Sequence, residues 1–407
     1  DQFNFLREKL LKILSHVEAK IDFPDEDLPN NIMDEIKNNL NETDEIEHAK
    51  IFRIYRDVRF SKNKTPFDEL SIVRIASMTK PITSLCIFQL IEQNLISLET
   101  NLQDIDKRFS DVKIIKKTDN KINYIKPKSN IKIKHLLNHT SGYGYQFLNP
   151  EIKYLVDNKL LQDLKDDGAD FLDAPILFEP GERWNYGIGI DILGYIIEKI
   201  SNKKLNEYMK ENLFNKLGMN NTTFHLDNTK FKDLAYVYNY TQDQIKIDQE
   251  RADEQENKIN KTFHAGGGGL LSTTQDYAKF MRLFLKEHNE IISQESINLM
   301  KRNQIGSLEV KRMPSVDAEL SASLDYDDNI EKKFGYGFMI NNQKTNEGRP
   351  KGSIFWTGIF NSFFWIDFEN KIGCAIFMQM LPYLNEISLK TYNEIETAIY
   401  QNIDTKK

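Results

Sequence analysis

The chain has 407 residues, 40% of them hydrophobic, and a formal charge of −7 at pH 7, so it can bury at least one large core and has the length for two or three domains. No long basic run accompanies that charge, which excludes nucleic acid or an anionic membrane as the main partner and favours a small neutral or mixed substrate. Two cysteines, Cys86 and Cys374, lie far apart in apolar stretches; they supply neither a disulfide framework nor a CxxC metal site and read as small buried hydrophobes.

In chain order, Phe3 to Val17 places apolar residues at helical intervals, the pattern of an amphipathic helix packing on something larger. A second short helix is expected around Ile32 to Leu40. Residues 1–20 carry charges throughout, so no signal peptide is expected there, and no window approaches the roughly 18 apolar residues of a membrane span. The expected location is cytoplasmic, with a periplasmic or secreted one as the alternative if residue 1 is a mature N-terminus. Ile51 to Phe60 alternates apolar and charged residues, as a half-exposed strand does.

The stretch Arg74-Ile-Ala-Ser77-Met-Thr-Lys80-Pro-Ile-Thr follows. A serine and a lysine three apart at a helix start project from the same face, so an unprotonated lysine amine can take the serine's proton while the helix N-terminus stabilises negative charge. The spacing S-x-x-K is weak by itself, since it also occurs at Ser61, Ser110, Ser129 and Ser201. Ser77 differs in its setting, between an apolar lead-in, Ile72 to Ile75, and an apolar run at helical spacing, Ile82 to Ile91. The other four sit among charges or turn formers.

Leu95 to Asp106 reads as a loop with a short turn, and Asp111 to Lys134 as a lysine-rich hairpin. His135 and His139 fall at i, i+4 on one predicted helix face, a spacing that can ligate a metal. No glutamate follows the first and no third ligand is evident, so structural histidines are the expectation, with no metal and no other cofactor. A Pro180-Gly181 turn leads through Trp184 and Tyr186 into a strongly apolar helix. Tyr186 is either a phenol facing a cleft or a cap packing on Trp184, and the residue pattern favours packing. Thr241 to Lys261 is almost wholly polar and reads as a solvated excursion. Gly266 to Gly269 precedes a helix N-capped within Ser272 to Asp276; no G-K-[ST] follows, which excludes a Walker loop, and the glycines are expected to let backbone pass close to backbone. Ser293 to Arg302 reads as a helix and Leu308 to Lys333 as an irregular, charged insertion. From Phe334, short strands with tight turns indicate an antiparallel sheet, and a helix over Leu384 to Tyr400 closes the chain.

Ser77-x-x-Lys80, Tyr186 after a Pro-Gly turn, and Trp356-Thr357-Gly358 on a late strand occur in the order used by the serine β-lactamase and penicillin-binding superfamily, which the chain resembles. The likeness is closest to the class C-like branch that includes the family VIII carboxylesterases. It is carried by Ser77-Met-Thr-Lys80-Pro-Ile-Thr, His135-Leu-Leu-Asn-His139-Thr-Ser-Gly142, Gly266 to Tyr277, and Met378-Gln-Met-Leu-Pro382, and covers roughly Ile72 to Pro382. It implies an α/β (α+β) fold: an antiparallel sheet flanked by helices, plus a mostly helical subdomain, with the active site between them. Residues 1–71 would be a divergent N-terminal segment joining the sheet. Residues 72–382 would be the catalytic domain, with a helical subdomain at about 86–264 and the sheet completed by 265–382. Residues 383–407 would pack a C-terminal helix on the sheet.

On that resemblance Ser77 is the nucleophile of an acyl-enzyme and Lys80 and Tyr186 share the general-base and general-acid work, Tyr186 being shifted toward phenolate beside Lys80. The backbone N–H groups of Ser77 and Ile359 would form the oxyanion hole. Trp356, Thr357 and Gly358 would bind substrate, and Tyr145 is either a pocket-wall residue or loop packing, with 111–134, 142–172 and 308–351 as walls. The family's β-lactamases carry Tyr-x-Asn and Lys-Thr-Gly where this chain has Tyr186-Gly-Ile188 and Trp356-Thr-Gly358. Losing the cation for a substrate carboxylate removes roughly 1.5–3 kcal/mol, and a tryptophan wall suits an uncharged acyl group. The expected function is a serine hydrolase cleaving carboxylic esters or lactones, its partner a small-molecule ester. The alternatives are a β-lactamase or D-amino-acid peptidase, and a catalytically idle binding or scaffold protein. The first glycine of the chain is Gly142, whereas the family usually opens with a glycine-containing strand hairpin, so the segment before the nucleophile has diverged.

Overall fold

The computed structural model describes residues 50–55, 71–118, 121–241, 244–324 and 330–404. The helices expected at 3–17 and 32–40, and the strand beyond Tyr55, lie outside these residues. The strands are β1 (Lys50–Tyr55), β2 (Val73–Arg74), β3 (Ile114–Thr118), β4 (Lys121–Ile125), β5 (Tyr238–Thr241), β6 (Gln244–Ile247), β7 (Leu271–Ser272), β8 (Lys332–Phe334), β9 (Met339–Asn341), β10 (Ile354–Gly358), β11 (Ser362–Asp367), β12 (Ile372–Phe377) and β13 (Met380–Leu381). The main sheet runs β1-β12-β11-β10-β9-β8. From β8 to β12 every pairing is antiparallel, as short strands joined by tight turns require. The edge strand β1, whose pairing direction the sequence leaves open, joins β12 in parallel, Lys50 opposite Ile372. Parallel neighbours need a long crossover, and here the whole intervening chain supplies it.

Among the described residues, the α-helices longer than four residues are α1 (Thr79–Glu92), α2 (Ile133–Leu137), α3 (Pro150–Asp157), α4 (Gly189–Ser201), α5 (Leu205–Met209), α6 (Gln249–Glu256), α7 (Thr274–Leu285), α8 (Gln294–Met300) and α9 (Glu386–Asp404). The strand β11 reads Ser-Phe-Phe-Trp-Ile-Asp without a polar alternation because both its faces are covered. Phe363 and Trp365 point to α9, where they meet Tyr392 at ring-centroid distances of 4.5 and 5.8 Å. Phe364 points the other way, to Tyr277 of α7 at 5.0 Å. Under α9 the buried Arg349 guanidinium pairs with Glu396, Nε to Oε1 3.2 Å, over the rings of Phe355 and Trp365.

The helix α1 has no polar face because it runs through the interior: every residue from Thr79 to Leu90 is buried, Lys80 and Gln89 among them. It packs on α4, and the glycine run passes beside α4 at Gly194, where a Cβ would come within 3.0 Å of the Gly266 Cα, as the glycine reading expects. The predicted hairpin is β3–β4, Thr273 caps α7 by accepting the Asp276 N–H at 3.2 Å, and Ser293 caps α8. Both cysteines are buried thiols. Thr241 to Lys261, read as a solvated excursion, is largely exposed but carries regular structure. It contains β6 and α6, because Asp248 caps α6 and the few inward residues are enough to seat it: Ala252 is buried and Gln255 Nε2 donates to the Leu234 carbonyl at 2.7 Å. Among the described residues no helix is long and apolar enough to cross a membrane.

Candidate active site

The chain enters the site along β2, turns through a 3-10 turn, Ala76–Met78, and continues as α1. Ala76 has φ +44°, a left-handed conformation that costs a residue with a Cβ about 1–3 kcal/mol and persists only when the surroundings enforce it. They do so from several sides. The Ile75 N–H donates to the Leu270 carbonyl at 3.1 Å. Gln379, from the Met378-to-Pro382 stretch, accepts the Arg74 N–H at 3.0 Å and returns an amide bond to the Arg74 carbonyl at 3.1 Å. Tyr277, from the Gly266-to-Tyr277 stretch, donates to the Met78 carbonyl at 2.9 Å. Two of the motifs that look remote in sequence thus pin the turn that carries Ser77.

Ser77 is partly exposed and Lys80 fully buried. One turn apart, their side chains meet: Lys80 Nζ lies 3.1 Å from Ser77 Oγ. Tyr186, in the loop before α4, donates to the same oxygen at 2.6 Å. Burial pushes the Lys80 amine down to about 7, while the Asp191 carboxylate pulls it back up. Burial pushes the Tyr186 phenol up from its ordinary value, with the Ser77 bond opposing. The expectation of a phenolate is therefore corrected: a phenol 4% exposed has no water to support its anion, and Tyr186 is a neutral donor. The packing-or-phenol alternative also resolves into both, since the ring lies against Trp356 at 5.1 Å and His139 at 5.0 Å while its hydroxyl reaches Ser77.

Asp191, on α4, is the residue that the sequence reading passed over. Its carboxylate is 3% exposed, accepts the Gly267 N–H at 2.9 Å and the Tyr145 hydroxyl at 2.8 Å, and is pushed up by burial against the pull of Lys80 and these bonds. The carbonyl of the same Gly267 accepts Lys80 Nζ at 2.5 Å. The signal that could have found Asp191 is a lone acid inside the apolar run Gly187 to Ile197, where an unpartnered charge is too costly to be accidental.

The remaining expected site residues are placed as follows. Gly358, at the end of β10, abuts the Ser77 turn, and a Cβ there would come within 2.5 Å of the Ile75 carbonyl; the partly buried Ile359 comes next. Thr357 exchanges a 2.5 Å hydrogen bond with the Tyr383 hydroxyl. Trp356 is 1% exposed and packs behind Tyr186, His139 and Phe334, so it supports the Tyr186 ring rather than offering a free wall. Tyr145 is likewise packed, its ring 5.0 Å from Lys80 Nζ. His135 and His139 share no helix face: α2 ends at Leu137, and His139 turns back at φ +57° into the aromatic cluster. Of the expected walls, parts of 111–134 and 142–172 line a cavity of about 940 Å³ that includes none of Ser77, Lys80 and Tyr186. The insertion does reach the site, Met313 Sδ accepting the Tyr186 N–H at 3.4 Å.

A serine and a lysine at the head of a buried helix, a phenol from the loop before α4, and a sheet strand closing on the Ser77 turn define the serine β-lactamase class of folds. The Beta-lactamase family model matches residues 50–397, and the chain belongs to that family. Among curated proteins it is 25% identical over 354 residues to the ML-236A carboxylate methylbutanoyltransferase of Penicillium citrinum, covering 81% of each chain. It is 23% identical over 369 residues to the lovastatin esterase of Penicillium rubens, covering 85% of this chain and 89% of that one. Among solved structures, the simvastatin synthase of Aspergillus terreus superposes with a TM-score of 0.73 at 22% identity, over 86% of this chain and 88% of that one, which shows the shared fold.

Proposed function

We propose that this protein is a serine ester hydrolase that works through an acyl-Ser77 intermediate. The observation that carries the reading is the convergence of Lys80 Nζ and Tyr186 Oη on one partly exposed serine oxygen, at 3.1 and 2.6 Å. A lysine held near 7 is substantially neutral around physiological pH, where a base is most useful. The neutral amine takes the Ser77 proton as Oγ bonds to the ester carbonyl carbon. The N–H groups of Ser77 and Ile359 receive the oxyanion, the position of Ile359 being favoured by the close approach of Gly358 to the turn. When the ester C–O bond breaks, a proton passes from the Lys80–Tyr186 pair to the leaving alkoxide. A water then repeats the sequence on the acyl-enzyme. An alcohol in place of that water would make the same site an acyltransferase, a second reading favoured by the methylbutanoyltransferase among the relatives.

Where the family's β-lactamases carry lysine this chain has the buried Trp356, and the lack of a cation for a substrate carboxylate there, rather than contact with the tryptophan ring, disfavours penicillins. The reading is tested with a fluorophosphonate probe, expected to label wild type stoichiometrically and Ser77→Ala not at all. A p-nitrophenyl ester is expected to be hydrolysed faster than a chromogenic cephalosporin. Folded, monodisperse protein that takes no label would overturn the proposal.

A further inference from the structure

We propose that Asp191 is a positioning residue for acylation of Ser77: acting through the Gly267 backbone, its carboxylate fixes the Lys80 amine beside the serine and supplies the counter-charge to its protonated form. The inference rests on the acyl-Ser77 reading and goes beyond it. Asp191 never reaches the reacting atoms. Its two oxygens are occupied by the Gly267 N–H at 2.9 Å and the Tyr145 hydroxyl at 2.8 Å, and the carbonyl of the same residue, in the next peptide group, receives Lys80 Nζ at 2.5 Å. Holding the Gly267 N–H fixes the backbone of the residue whose carbonyl seats the amine, and the carboxylate charge acts on the ammonium through a low-dielectric interior.

Two further observations show that the relay is built rather than incidental. A Cβ at Gly267 would come within 2.1 Å of Asp191 Oδ2, so the contact needs glycine there. Tyr145 brackets both ends, its hydroxyl on Asp191 and its ring 5.0 Å from Lys80 Nζ. The other titratable groups facing Lys80 carry no compensating charge: burial keeps Tyr145 and Tyr186 as phenols, and holds the His139 imidazole well below its ordinary value. The carboxylate is thus the group that opposes desolvation of the ammonium. Without it the amine would shed its proton more easily but be a weaker base.

The test is the pH dependence of the fluorophosphonate labelling rate in the full-length protein, which needs no knowledge of the natural ester. In Asp191→Asn, which keeps an acceptor for the Gly267 N–H but removes the charge, the acid limb is expected to move at least ~1 pH unit lower, the usual effect of losing one nearby opposite charge, and the plateau to fall. Tyr145→Phe keeps the charge and should leave the limb in place. A limb that stays put or moves up in Asp191→Asn, or moves down equally in Tyr145→Phe, overturns the proposal. If Asp191→Asn does not fold, Gly267→Ala, whose methyl displaces the carboxylate, should move the limb the same way, and an unmoved limb there is equally fatal. Labelled wild type with unmoved variants removes only the role of Asp191; unlabelled wild type removes the acyl-enzyme reading beneath it.

Discussion

Replacing Tyr186 by Phe deletes one oxygen and leaves the ring. The ring's neighbours, Tyr145 and His139 at 5.0 Å and Trp356 at 5.1 Å, keep their contacts, so the stability cost should be that of one hydrogen bond, about 1 kcal/mol. The catalytic cost depends on the leaving group. An alkoxide leaves only with a proton, and removing a positioned proton donor costs about 10²–10⁴-fold, or roughly 3–5 kcal/mol of barrier. A p-nitrophenolate leaves unaided, so that ester should lose only the 2.6 Å bond to Ser77 Oγ, about tenfold for 1.4 kcal/mol. The assay compares kcat/KM, which reports acylation, for an ethyl and a p-nitrophenyl ester of the same acid in wild type and Tyr186→Phe. Equal losses on the two esters, or less than a tenfold loss on the ethyl ester, would refute the donor role.

Further outcomes are expected from the same geometry. The kcat/KM of wild type should rise with pH through about 7 as Lys80 loses its proton, and Lys80→Met should abolish activity at every pH. The same residue has a signed effect on stability. Its folded pKa lies below the ordinary lysine value, so from about 7 upward to the unfolded value the unfolded chain binds the extra proton, and stability should rise with pH across that window. Urea unfolding of wild type against Lys80→Met at pH 7, 8.5 and 10 isolates this slope. Gly358→Ala forces a methyl against the Ile75 carbonyl, which a Cβ would meet at 2.5 Å; a loss of about 1–3 kcal/mol is expected in urea unfolding, together with slower labelling of Ser77. Glu396→Ala strands the buried Arg349 charge and should cost about 3–5 kcal/mol by thermal melting, with the pH limb unmoved.

Much of the Ser77–Lys80 pair was legible in the sequence because it is local. Ser77 and Lys80 are three residues apart, and once a helix starts there its geometry alone brings their side chains together. The apolar run from Ile82 to Ile91 likewise marked a helix, and the tight turns after Phe334 marked the antiparallel part of the sheet. Tyr186 could be suspected from its order along the chain, but its protonation state could not, because that depends on burial by Trp356, His139 and Tyr145 arriving from three other segments.

What only the tertiary structure decided is the environment of the amine. Gly267 lies 187 residues beyond Lys80 and 76 beyond Asp191, and it joins them through its backbone N–H and C=O, which no sequence pattern marks. The direction of β1 was undecided for a related reason: alternation along a strand says which face is covered, while parallel or antiparallel pairing is set by the neighbour it meets. Local spacing thus determined which side chains could do the chemistry. Long-range packing, by removing water and supplying one carboxylate, determined their charges.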